Sequence, residues 1–71
     1  MSHSAVPNAR TTIWQNTPNG LALLRTIPGL PYGTASKVFI DGLGEARQTG
    51  RQTTGSGRNE AIVEIKYTLI Q

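Results

Sequence analysis

The sequence contains no cysteine and a single histidine, His3. No disulfide can form and no thiolate metal site is available. A structural zinc site takes four Cys or His ligands as a rule, so metal stapling is excluded too. Long apolar runs are also missing. The longest is Leu21-Ala22-Leu23-Leu24, against the roughly 20 residues that cross a membrane as a helix. No basic residue precedes Arg10, and no apolar stretch of secretory-signal length follows it. Charge is sparse: 15% of residues are charged, where about 25% is usual. Acids are sparser still, with Asp41, Glu45, Glu60 and Glu64 all in the second half of the chain.

These absences limit the chemistry. Glu60 and Glu64 fall on one face of a C-terminal strand, the ordinary pattern of a solvated surface. A Ser/His/Asp arrangement would depend on His3 in a loose terminus, a poor place to hold catalytic geometry. Gly42-Leu43-Gly44 follows a strand, but the dinucleotide fingerprint needs glycine at its sixth position, where Arg47 stands. No Gly-Lys-Ser/Thr is present for a P-loop. The expectation is a protein without catalysis, metal, cofactor, small-molecule substrate or membrane span, located in the cytoplasm or a virion.

What is present is a chain of 71 residues, 37% hydrophobic, with eight glycines and a net charge of +3. Such a chain forms at most one small domain and usually needs a staple. With disulfides and metals excluded, association with other subunits remains.

Strand signals dominate. Residues 60–71, EAIVEIKYTLIQ, alternate with period two over ten positions and are rich in β-branched residues. Ala61, Val63, Ile65, Tyr67 and Leu69 share one apolar face. Ile62, Glu64, Lys66, Thr68 and Ile70 share the other. Residues 11–16 read as a short strand, Thr17-Pro18-Asn19-Gly20 as a hairpin turn, and 21–27 as its second strand. A short helix over 21–27, giving α+β, is the alternative. Residues 28–36 hold two Pro-containing turns that cross to a short strand at 36–41. That strand is expected to pair antiparallel with the C-terminal one. Residues 1–10 read as an extended or disordered arm, since Pro7 disfavours helix before it. Residues 42–59 carry five glycines among Arg, Gln, Thr and Ser and read as a long polar loop, or as a protruding β-ribbon that gains order from a partner. The expected fold is all-β: a small antiparallel sheet, sandwich or barrel of four or five strands built from two hairpins over residues 11–71.

The candidate interaction residues follow. Trp14, the single tryptophan, sits mid-strand as core or subunit contact. Tyr32, between Pro31 and Gly33, reads as partly exposed. Val63, Ile65 and Tyr67 lie on the apolar face of a strand expected to pair with another subunit. Arg47, Arg51 and Arg58 form an acid-free basic segment that could fork onto phosphates or carboxylates. No aromatic lies near them in sequence to complete a single-stranded nucleic-acid groove.

A loose arm, short strands, a polar loop, no cysteine and weak charge together resemble the layout of small virion proteins such as phage capsid cement or tail-connector proteins. The resemblance is one of layout and assigns no residues. It implies a structural protein that self-associates or binds a larger assembly. A small nucleic-acid-binding or regulatory module using the arginine loop is the alternative.

Overall fold

The computed structural model describes residues 4–71, and all regular structure in it is strand apart from one short 3-10 turn. The strands are β1 (Ser4–Thr17), β2 (Gly20–Pro28), β3 (Lys37–Ile40), β4 (Gly44–Thr54) and β5 (Ala61–Leu69), with the turn at Gly57–Asn59. They form one five-stranded sheet in the order β2-β1-β5-β4-β3. The all-β expectation holds, and 21–27 is strand, not helix. The sheet is mixed, however. β5 runs parallel to β1 and antiparallel to β4.

The β1–β2 hairpin is built as its sequence dictates. Thr17 pairs with Gly20 across the two-residue turn Pro18-Asn19. Gly20 takes φ +116°, a region that costs a residue with a Cβ. The Thr17 hydroxyl donates to the Gly20 carbonyl at 2.7 Å and accepts the Asn19 N–H at 3.2 Å.

Three expectations need correction. First, the described part of the 1–10 arm is the opening stretch of β1. Ser4 and Ala5 pair with Ala61 and Ile62, and pairing resumes at Arg10 with Glu64. The break falls around Pro7, which has no N–H to give to a ladder. His3 lies outside the described residues. Second, the polar segment 42–59 is not a long loop. Eleven of its residues form β4. Its side chains contribute little core, Ala46 being the buried one. A strand flanked on both sides needs backbone partners more than apolar side chains, and β5 and β3 supply them. Four of the five glycines mark its ends, where φ is positive. Third, the 36–41 strand pairs with β4, and β5 pairs with β4 and β1.

One face of the sheet carries the core. Ile13, Ile40, Ala46, Ile62, Ile65 and Tyr67 are buried there, with Ile27, Leu30, Tyr32, Val38, Leu43 and Leu69 packed against them. Ile62 belongs to this face although simple alternation assigns it to the other. On both sides of β5 the register passes from Ile62 to Glu64 and leaves out Val63. That extra residue is a β-bulge, and it shifts the alternation by one.

The crossover between β2 and β3 lies over this core. Tyr32 meets Tyr67 edge-on, with ring centroids 5.8 Å apart. The Tyr67 hydroxyl donates to the Ala35 carbonyl at 2.8 Å. The Gln48 amide donates to the carbonyls of Ala35 (3.1 Å) and Thr34 (3.3 Å). The Thr11 hydroxyl holds the entry of the crossover through the Gly29 carbonyl at 3.0 Å. Among the described residues, the opposite face has no such cover.

Candidate surface for assembly

The open face is organised by rows that run across the strands. One row is complete: Leu23 pairs with Trp14, Trp14 with Thr68, Thr68 with Arg47 and Arg47 with Lys37. Paired residues share a face, so this row is apolar at β2 and basic at β3. Beside it lies a polar network. The Trp14 indole N–H donates to the Thr12 hydroxyl at 2.9 Å, which donates to Glu64 Oε2 at 2.7 Å. Arg10 Nη2 reaches Glu64 Oε1 at 2.7 Å. Lys66 Nζ stands 5.0 Å from the centre of the Trp14 ring, a cation–π distance. Trp14 is thereby fixed at its ring nitrogen and half-buried, with Lys66 already over its ring. Gly50, Arg51, Gln52, Glu64 and Lys66 line a shallow, open depression of about 290 Å³. Its mixed charges select neither an anion nor a cation.

The expected interaction residues do not gather into one site. Ile65 and Tyr67 are wholly buried in the core, and β5 has strands on both sides. Backbone pairing with another subunit at the C-terminal strand is therefore corrected: that strand is the middle of the sheet. Val63 is half-buried at the bulge. Tyr32 is partly exposed, as expected, and packs on Tyr67. Arg47 lies opposite Thr68 on the open face, whereas Arg51 lies opposite core-facing Ile65 and donates from Nε to Gln48 Oε1 at 3.3 Å. Arg58 sits in the turn beyond β4. Arg47 and Arg51 thus lie on opposite faces of the sheet.

The sheet edges carry the residues that sequence reading passed over. β2 has β1 on one side only. Leu21, Leu23 and Leu24 on it are 48%, 51% and 40% exposed. Phe39, on the four-residue edge β3, is 68% exposed. The signal for β2 was in LALL itself. A strand apolar on both faces belongs either in the middle of a sheet or at an edge that something covers.

Burial also perturbs Tyr67. Its removal from water pushes the phenol above the usual 10.0, and the neighbouring Tyr32 adds to this. The Gln48 hydrogen bond and the Arg51 charge act in the other direction. The folded state therefore holds this proton more tightly than the unfolded chain does. The resulting stability is complete below pH 10.0 and is lost as pH rises through the folded value. Unfolding free energy measured by denaturant titration is expected to fall from about pH 10 upward. Tyr67→Phe is expected to be less stable at neutral pH, by about 1–2 kcal/mol for the lost bond to Ala35, and to show a shallower alkaline decline. Equal slopes in both proteins would place the alkaline sensitivity elsewhere.

No protein-family model, curated protein or solved structure matches the chain. Among the described residues no helix is long and apolar enough to cross a membrane.

Proposed function

We propose that this chain is a non-enzymatic structural protein that builds an assembly by strand addition at the β2 edge. One observation carries the reading: β2 is nine residues long, has no strand on its outer side among the described residues, and is lined by three exposed leucines. Sheet edges that stay solitary are short, charged or broken by proline. β2 has one charge, Arg25, and its single proline, Pro28, closes the strand. Strand addition draws affinity from main-chain hydrogen bonds and specificity from alternating side chains. The edge offers both, and the apolar half of the open face continues from it through Trp14. A virion accessory role, as capsid cement or tail connector, is the most concrete form of this reading. The nucleic-acid alternative has less support, since Arg47 and Arg51 lie on opposite faces of the sheet.

The test is the solution mass by light scattering across a concentration series, with Leu23→Lys as comparison. The wild-type chain is expected to exceed its monomer mass of 7.6 kDa as concentration rises. Leu23→Lys, with unchanged circular dichroism, is expected to remain monomeric. A lysine at a sheet edge is a known block to pairing. Monomer mass for the wild-type chain up to about 1 mM, an association energy of only about 4 kcal/mol, would overturn the proposal.

A further inference from the structure

We infer that the occupant of the β2 edge is a second copy of this chain, paired antiparallel β2 to β2 about a two-fold axis at Ala22. The inference rests on the assembly reading above and adds the partner, the symmetry and the register.

The backbone fixes the register. Thr17 and Gly20 close the two-residue turn as a pair. Pro18 has no N–H, so a hydrogen-bonded pair one step further into the turn is impossible. The Thr17–Gly20 pair is itself the hydrogen-bonded one. Antiparallel ladders alternate hydrogen-bonded and non-hydrogen-bonded pairs. The Gln15–Ala22 pair is therefore bonded, and the Asn16–Leu21 and Trp14–Leu23 pairs are not. The N–H and C=O groups of Leu21 and Leu23 consequently point away from β1, toward the outside of the sheet. A second strand that meets both sets must place its own outward-facing groups opposite them. With the axis at Ala22, Leu21 of each copy faces Leu23 of the other, and each such pair exchanges two main-chain bonds.

The side chains agree with this register. Leu21 and Leu23 both belong to the open face, so facing one another keeps that face continuous across the axis. Four leucines, flanked on each side by Trp14, then form one apolar strip. Beyond Leu23 the strand bulges: its register with β1 passes from Leu23 to Arg25 and leaves out Leu24. The bulge reverses the alternation, so a register centred further along β2 would set residues of opposite faces against each other. Arg25 falls opposite the turn residue Asn19 of the other copy, and the two Arg25 side chains stay about 20 Å apart at 3.4 Å per residue. No like charges meet. The other edge is a poor alternative, because β3 has only four residues and carries Lys37.

The dimer is expected to be modest. A stable interface needs about 1,000 Å² in total. That is about a tenth of the 4747 Å² surface from each copy. One short edge with its leucines offers a small interface, so the dimer forms as concentration rises.

The absence of cysteine makes the test clean. Ala22→Cys places two thiols across the axis in a non-hydrogen-bonded pair, where Cα atoms lie about 4.5 Å apart, within disulfide reach. Thr26→Cys, on the same strand, places them far apart. On mild oxidation Ala22→Cys is expected to give a doubled mass that reductant reverses, and Thr26→Cys none. In the unaltered chain, hydrogen exchange at the Leu21 and Leu23 amides is expected to slow with concentration, while the β3 amides keep their rates. A wild-type mass above the monomer, with Leu21 and Leu23 protected but no Ala22→Cys cross-link, would overturn the two-fold pairing and leave edge assembly standing, whereas no protection at these amides would overturn both. A monomer at all concentrations would overturn both.

Discussion

Replacing Ile65 by alanine is expected to bring the domain to the margin of unfolding. Ile65 has no exposed surface and stands on the central strand, opposite Thr11 on β1 and Arg51 on β4. Truncating a fully buried isoleucine removes its transfer energy and leaves a cavity, together about 2–5 kcal/mol. A chain of this length has a total stability of about 4–10 kcal/mol. The substitution thus removes a large part of it, or all. Neighbours have little freedom to close the gap, because the strands on both sides are held by ladders. Urea unfolding followed by circular dichroism is expected to show a sharply lowered midpoint, or a protein already unfolded without denaturant. A loss under about 1 kcal/mol would mean that Ile65 does not sit in a packed core. Leu23→Lys gives the opposite pattern: that change alters mass and leaves stability nearly untouched.

Gly55→Ala is expected to cost on the order of 3 kcal/mol, from positive-φ strain and steric overlap together. Gly55 lies between β4 and the turn that returns the chain into β5, at φ +80°. A Cβ at this position would approach the Asn59 carbonyl oxygen to 2.4 Å. That oxygen is backbone, inside a turn fixed by the Asn59 N–H donating to Ser56 O at 3.0 Å and Glu60 N–H donating to Gly57 O at 3.3 Å. Relief requires the turn to open, which would shift the entry of β5. A neighbouring comparison separates steric overlap from strain in φ alone. Gly57, at φ +57°, has open space where its Cβ would be, so Gly57→Ala should cost only about 1–2 kcal/mol. Thermal unfolding of the two variants side by side measures the difference. Equal losses would show that the Asn59 carbonyl yields freely.

Much of the fold is legible in the sequence where side-chain chemistry and strand geometry coincide. The alternation of Ala61 to Leu69 announces β5, and Thr17-Pro18-Asn19-Gly20 announces the first hairpin. β4 is hidden because its ladder is made of backbone groups, which composition does not display. GEARQTGRQTT forms a strand by being placed between two others, and that placement is a tertiary fact. The bulge at Val63 is hidden for a related reason. Strict alternation running from Ile62 through Glu64 cannot be distinguished locally from a pattern with one extra residue. Glu64 faces Arg10 and Thr12 only once β1 lies alongside. For the candidate surface, apolarity of the C-terminal strand suggested an interface. The same property describes a strand buried between two others, and topology decides between them. Leu21, Leu23 and Leu24 were visible as residues, but only the order β2-β1-β5-β4-β3 makes theirs an edge.

The parallel contact between β1 and β5 bears on how the chain acquires its structure. The first strand and the last are neighbours, and no ladder joins the β1–β2 pair to the β3–β4 pair except through Ala61–Leu69. Without that segment the β1–β2 and β3–β4 pairs are separate hairpins, each at best marginally stable alone. Closure then requires contacts between distant parts of the chain, such as Ile13 with Tyr67, the kind of long-range pairing that slows folding. The domain thus becomes complete only when its central strand joins the two hairpins.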